Sequence, residues 1–139
     1  MIETLKRVLA RWRTEDHEGM ETPLGETWIF SLKYDDLPVG SLTLTGGVWE
    51  FAYSPEFQKQ GEVQPIIDFP DLDRTYRSQS LWPFFMARIP SLSQPKVQAT
   101  IESEGLDKSN AAQLLRRFGE RTISNPFRLE PSRQKVAAG

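Results

Sequence analysis

The sequence lacks cysteine altogether and contains a single histidine, His17, among its 139 residues. Without cysteine, a disulfide framework and a thiolate nucleophile are both excluded. A catalytic histidine needs a neighbouring group that holds its ring in place, and His17 lies in an acidic, glycine-containing stretch that offers none. We therefore interpret His17 as a solvated linker residue.

Long apolar runs are also absent, and no stretch of the sequence is long enough to cross a bilayer. The N-terminus carries basic residues among its apolar ones, unlike a secretory signal. We therefore expect a cytoplasmic protein that does not bind membranes. The formal net charge of −2 argues against direct nucleic-acid binding, because domains that bind nucleic acids are usually basic.

Residue patterns that carry chemistry are scarce as well. Asp68, Asp71 and Asp73 fall in one predicted loop, but the loop lacks the glycine and the distal glutamate of a calcium-binding loop. Gly46 and Gly47 join two predicted strands, so no helix N-terminus follows them to bind a phosphate. We predict no catalytic residue, no metal site and no cofactor, which favours a protein that is not an enzyme.

Residues 1–14 have the pattern of an amphipathic helix, with apolar residues at i, i+3, i+4 spacing and basic residues opposite. The apolar face consists of Ile2, Leu5, Val8, Leu9 and Trp12, and the basic face of Lys6, Arg7, Arg11 and Arg13. Three interpretations remain open: a helix docked on its own domain, a docking helix for a partner protein or acidic surface, and a DNA-binding helix. The acidic residues that follow, up to residue 27, predict a linker.

The region after this linker predicts three antiparallel strands. Apolar and polar residues alternate along each of them, which is typical of half-buried strands. The predicted strands are residues 28–34, 39–45 and 48–53. Gly46 and Gly47 supply the positive φ angles that a tight hairpin turn requires. Trp28 and Trp49 lie in phase with the apolar faces, so we expect both in the core.

Less regular elements are predicted between the third strand and Ser80. Ser54 is expected to cap a short helix that starts at Pro55 and ends at Gly61. Residues 63–69 include Ile66 and Ile67 between Pro65 and Pro70, and predict at most an extended or edge segment. Residues 70–79 are polar and predict a loop.

Three further helices are expected, each bounded by prolines, capping residues or glycines. They run from Pro83 to Pro90, from a cap at Ser93 to Gly105, and from a cap at Asp107 or Ser109 to Gly119. Residues 123–129 predict a short last strand. The fold class is therefore α+β, a small antiparallel sheet packed against several short helices, with an additional N-terminal helix. We expect a main domain over residues 28–131, preceded by residues 1–27 and followed by a flexible tail over residues 132–139.

Trp82 differs from the other tryptophans because Pro83 follows it. A residue before proline is restricted to an extended conformation, which places Trp82 at the start of the predicted helix. Two interpretations of its indole remain open. It packs in the core beside Phe84, or it projects as an anchor into a pocket of a partner protein.

Several short motifs resemble, in their order and spacing, the N-terminal subdomain of HipA-type serine/threonine kinases. They are Val39-Gly40, Phe51 to Phe57, Pro65-Ile66, Leu81 to Phe85, Ile89-Pro90, Leu114-Leu115, Gly119 and Phe127 to Pro131. The resemblance covers about residues 28–131. A free-standing subdomain of this kind resembles the HipS-like antitoxins of three-component HipBST toxin–antitoxin systems.

This resemblance implies a function through protein–protein binding. It implies an antitoxin that docks on the small lobe of a separately encoded HipA/HipT-type kinase and obstructs the active site, with a HipB-like DNA-binding protein as a possible third component. The partner-binding residues that we then expect are Trp82, Pro83, Phe84, Gln79 and Arg77. Two alternatives are a non-inhibitory structural subunit of a kinase–repressor complex and a DNA-binding module that uses the basic N-terminal helix.

Overall fold

The computed structural model describes residue 17 and residues 19–132. This part of the chain forms one antiparallel sheet and four short helices, which confirms the predicted α+β class. The strands are β1 (Trp28–Tyr34), β2 (Leu37–Thr45), β3 (Val48–Tyr53), β4 (Tyr76–Ser78) and β5 (Phe127–Pro131). The helices are α1 (Pro55–Lys59), α2 (Pro83–Met86), α3 (Pro95–Glu104) and α4 (Ala111–Phe118). The predicted helix over residues 1–14 and the tail after residue 132 lie outside the described residues.

The sheet has the strand order β4-β3-β2-β1-β5, and all neighbouring strands are antiparallel. Its register places Phe30 opposite Leu42, and Leu42 opposite Phe51. These three side chains share one face and are fully buried. Gly46 and Gly47 have φ angles of 58° and 79°, as a type I′ hairpin turn requires. The predicted three-stranded meander is therefore confirmed.

The core lies between this face of the sheet and the helices and connections that cover it. Phe69 stacks on Phe51 with ring centroids 4.4 Å apart, and Phe85 of α2 lies 5.8 Å from the same ring. Trp28 and Trp49 are also buried, as predicted. Because burying one large apolar side chain contributes roughly 1.5–3 kcal/mol, this aromatic cluster fixes α2 firmly on the sheet.

The prediction of a loop over residues 70–79 is wrong at β4. Its three residues pair with β3, with Tyr76 opposite Phe51 and Ser78 opposite Trp49. The Tyr76 ring also packs edge-on against Phe69, with centroids 5.1 Å apart. Three residues are too few to produce a readable alternation in sequence, so long-range packing creates this strand.

The helix that begins at Pro83 is shorter than predicted. It ends at Met86 and does not continue to Pro90. Arg88 and Ile89 donate their backbone N–H groups to carbonyls three positions earlier, each at 3.0 Å, which is the tighter 3₁₀ pattern. Among the four described helices, none combines the length and apolar character needed to cross a bilayer.

Two predicted helix caps are also displaced. The cap of α3 is Gln94 rather than Ser93, although Pro95 begins the helix as expected. The cap of α4 is Asn110, whose side chain accepts a backbone N–H at 3.0 Å. Asp107 instead accepts hydrogen bonds from Ser109 in the turn before the helix.

The first helix and the last strand differ from prediction at one end each. Ser54 caps α1 as expected, accepting a backbone N–H at 3.0 Å, but the helix ends at Lys59 and not at Gly61. The last strand begins at Phe127 because residues 122–126 form a turn, and Ile123 is completely exposed. The boundaries at Gly105 and Gly119 are confirmed.

Candidate partner-binding groove

Trp82 stands at the start of α2, where Pro83 occupies the first helical position. The backbone of Trp82 is extended, with φ −67° and ψ 152°, as the following proline requires. Its indole packs edge-on against Phe69, with ring centroids 5.0 Å apart. The side chain is only partly buried, so Trp82 contacts the core at Phe69 and also keeps an accessible surface.

Asp68 fixes the position at which α2 begins. Its Oδ2 atom accepts the backbone N–H of Phe84 at 3.0 Å, one of the first-turn donors that has no helical carbonyl to bind. The neighbouring carboxylates, Asp71 and Asp73, do not complete a metal site with it. In residues 17 and 19–132, no group of three or more acidic, histidine or cysteine side chains is arranged to hold an ion.

A groove of about 690 Å³ opens beside Trp82. Its size lies within the range of small-molecule pockets, and it is large enough to receive side chains of another polypeptide. We call it the Trp82 groove. One wall comes from α2 and the connection before it, and the other from the segment that precedes β1. The first wall carries most of the apolar side chains, namely Leu81, Trp82, Pro83 and Met86, and the second wall adds Met20 beside polar residues.

The structure brings together three of the five predicted partner-binding residues, since Gln79, Trp82 and Pro83 all line the groove. Arg77 does not line it; this guanidinium forms an exposed ion pair with Glu50 at 2.7 Å.

Phe84 faces a different part of the domain. Its ring packs edge-on against Phe85 and Phe127, with centroids 5.0 and 5.7 Å away. Trp82 therefore lines the groove, whereas Phe84, only two positions later in sequence, packs against β5 and holds α2 in place.

Sequence reasoning missed the wall that precedes β1. The hydroxyl of Thr22 donates to the carbonyl of Gln79 at 2.9 Å and accepts the indole N–H of Trp49 at 2.9 Å. The backbone N–H of Glu21 donates to the carbonyl of Ser109 at 2.7 Å. An acidic, glycine-containing composition gave no signal for these contacts, because each depends on residues distant in the chain.

The interpretation of His17 as a solvated linker residue is wrong. Its Nε2 atom lies 2.8 Å from the carbonyl oxygen of Ile89, and the partly buried residue lines the Trp82 groove. A carbonyl can only accept, so Nε2 carries the proton in this contact. His17 therefore fastens the chain to the segment that follows α2.

Arg88 is a second residue whose role the sequence did not reveal. Its side chain is 3% exposed and donates to three backbone carbonyls, those of Gly119 at 2.6 Å, Glu120 at 2.8 Å and Phe127 at 2.6 Å. Burial lowers the pKa of Arg88 to about 10, so the guanidinium remains charged at neutral pH. These bonds hold the end of α4 and the start of β5 to the segment that follows α2.

Comparison with known proteins assigns the chain to a family. A family model described as the HipA N-terminal domain matches residues 31–124, which is more than half of the chain. The match runs from within β1 to the turn before β5 and includes most of the Trp82 groove. A search of curated proteins finds no match.

Proposed function

The chain belongs to the HipA N-terminal domain family, and from this premise we propose that it is an antitoxin. It binds a separately encoded HipA/HipT-type serine/threonine kinase, docks on the small lobe and obstructs the active site. The family match carries this proposal, because the domain would occupy on its kinase the place that the corresponding subdomain has within a HipA-type chain. The antitoxin has no catalytic activity of its own and acts by binding.

The Trp82 groove supports a role in binding. Pro83 restricts the backbone of Trp82 to an extended conformation, and the Phe69 ring packs against its indole. The side chain remains partly accessible. A pre-organised aromatic side chain loses little conformational entropy on binding, and tryptophan is enriched among the residues that dominate interface energetics. We propose that Trp82 enters a pocket of the kinase, with Pro83 and Gln79 in contact around it.

Besides obstructing the active site, this contact would also inhibit by a population shift if it formed preferentially in an inactive arrangement of the kinase. A ligand shifts a two-state equilibrium only by its differential affinity for the two states. An interface tryptophan that contributes about 2 kcal/mol in one state alone changes the ratio of active to inactive kinase roughly 30-fold.

The proposal also covers the organisation of the complex. Residues 28–131 form the main kinase-docking domain, the described residues before β1 add the second wall of its groove, and a short tail follows. A HipB-like DNA-binding protein joins the kinase and the antitoxin in a ternary complex in the cytoplasm. Arg77 and Phe84 contribute indirectly to kinase binding. Arg77 contributes from the exposed edge strand β4, and Phe84 contributes by positioning α2.

The test compares Trp82→Ala and Trp82→Phe with Ile67→Ala, a control that removes an exposed apolar side chain outside the groove. The binding partner in this test is the proposed HipT-type kinase. Calorimetry measures binding, and phosphorylation of the kinase's substrate measures inhibition. We expect Trp82→Ala to weaken binding and inhibition by roughly 30-fold. Trp82→Phe should lose less, and Ile67→Ala should match the parent protein.

Two outcomes would change the proposal. Full inhibition by a folded Trp82→Ala protein would remove Trp82 from the mechanism. Tight binding of the parent protein without any loss of kinase activity would instead make the chain a non-inhibitory structural subunit. Circular dichroism and thermal melting of each variant show whether the fold is retained.

A further inference from the structure

The Trp82 groove has a wall that leads directly to the N-terminal segment of the same chain. His17, Met20 and Thr22 line the groove, and residues 1–16 precede them. This wall is firmly attached: His17 bonds the carbonyl of Ile89, and Thr22 bonds the carbonyl of Gln79. The chain that precedes His17 is therefore joined covalently to a residue that lines the groove.

The groove presents an apolar surface that suits an apolar occupant. Trp82 and Met86 from one wall and Met20 from the other are each only partly buried by the rest of the domain. An accessible groove with apolar side chains in its lining can receive the apolar side chains of another polypeptide segment. Amphipathic helices occupy such grooves through side chains at i, i+3, i+4 and i+7.

Residues 2–12 have that spacing. Their apolar positions are Ile2, Leu5, Val8, Leu9 and Trp12, and their basic residues lie on the opposite side of the predicted helix. Trp12 is five residues before His17, and five residues of extended chain reach about 17 Å. A short tether of this kind gives an effective concentration in the millimolar range, so even weak intrinsic affinity suffices for occupancy.

We propose that residues 2–12 dock, apolar face inward, in the Trp82 groove of the same molecule and compete there with the kinase. The competition rests on the proposed function, whereas the docking does not. Before the kinase binds, the segment covers Trp82 and Met86 from solvent. Kinase binding then displaces it, and the apparent affinity is lower than the affinity of the open groove by the fraction of molecules that are uncovered.

The docking is tested by NMR on the full chain, observing the indole N–H of Trp82 and the methyl group of Met86. Leu5→Ser combined with Leu9→Ser removes part of the apolar face. Lys6→Ser combined with Arg7→Ser is the matched control on the basic face. We expect the two groove signals to shift in the Leu5/Leu9 variant and to stay in place in the control. Unchanged groove signals in the Leu5/Leu9 variant, or equal shifts in both variants, would overturn the docking.

A second measurement identifies the occupant. Because the chain has no cysteine, Arg7→Cys accepts a single nitroxide label on the basic face. We expect the label to broaden the Trp82 and Met86 signals within one molecule. Broadening that appears only between labelled and isotope-enriched molecules in a mixed sample would assign the groove to a second copy and overturn docking within the chain.

The competition is tested by measuring the affinity of the parent chain and of the Leu5/Leu9 variant for the kinase. We expect the Leu5/Leu9 variant to bind the HipT-type kinase roughly 3- to 10-fold more tightly than the parent chain, because no segment has to be displaced. Equal affinities would overturn the competition. If neither protein bound the kinase, the proposed function would fail, while the NMR measurements would still decide whether the segment docks.

Discussion

Replacement of Arg88 by methionine tests whether its buried guanidinium holds the C-terminal part of the domain in place. Methionine retains much of the apolar stem but donates no hydrogen bond, so the carbonyls of Gly119, Glu120 and Phe127 lose their donor. An unsatisfied buried acceptor costs about 1–3 kcal/mol. Two terms offset this loss, the removal of a charge that was costly to bury and the access that water gains to the turn.

At about 1 kcal/mol for each carbonyl, we expect Arg88→Met to lower the free energy of unfolding by about 3 kcal/mol. For a domain of this size, that loss lowers the melting temperature by roughly 10 °C. Arg88→Lys should lose less stability than Arg88→Met, because an ammonium group still donates hydrogen bonds. It should remain less stable than the parent protein, because it cannot present the planar set of donors of a guanidinium. The assay is urea unfolding followed by tryptophan fluorescence, with equal slopes required for the comparison.

The matched control is Arg77→Met, which removes an exposed guanidinium that pairs with Glu50. We expect a loss below about 1 kcal/mol from this change, as for other exposed ion pairs. Arg88→Met with the stability of the parent protein would refute the reasoning. So would equal losses in the two variants, because burial would then make no difference.

Three further substitutions test other parts of the structure. Burial raises the pKa of Tyr53 to about 12, so the folded protein holds the phenol proton to higher pH than the unfolded chain and loses stability between pH 10 and 12. Tyr53→Phe should cost about 1–3 kcal/mol at pH 7 and show a smaller alkaline loss in urea unfolding. Asp68→Ala should cost about 1 kcal/mol in thermal melting, because the N–H of Phe84 loses its acceptor. Gly40→Ala should cost about 2 kcal/mol in urea unfolding, because an added Cβ would lie 2.5 Å from the carbonyl oxygen of Ala52.

Each of these predictions has an outcome that contradicts it. An alkaline loss in Tyr53→Phe as steep as in the parent protein would show that the phenol does not cause it. Asp68→Asn is the control for Asp68→Ala, since its amide oxygen still accepts the N–H, and equal losses would exclude the hydrogen bond as the cause. Retained stability in Gly40→Ala would show that β2 and β3 separate at little cost.

The part of the fold that could be predicted from sequence is the part set by local patterns. The alternation from Trp28 to Tyr53 and the paired glycines at the hairpin define three strands without reference to the rest of the chain. In contrast, β4 exists because Tyr76 packs on Phe69, and Asn110 rather than Asp107 caps α4. The local sequence contains two good capping residues, Asp107 and Ser109, but Asn110 caps the helix in the folded structure.

The candidate site was predicted on one wall only. Proline chemistry placed Trp82 correctly, in an extended conformation at the start of α2. The opposite wall depends on Thr22 and His17, which bond carbonyls 57 and 72 residues away in sequence. Arg88 likewise bonds carbonyls more than 30 residues away. A backbone carbonyl is present at every residue and leaves no trace in the sequence, so such partners cannot be recognised before the chain is folded.

The margins of the sheet have a consequence for partner choice. Along β5, the N–H of Leu129 already bonds the carbonyl of Glu120, and the carbonyl of Phe127 is taken by Arg88. At the other margin, β4 is three residues long and carries the charged Arg77. An incoming polypeptide thus meets little free main chain and must be recognised through side chains. A few substitutions around the groove would then be enough to make related domains of this family discriminate between their partners, with no change to the sheet or the helices.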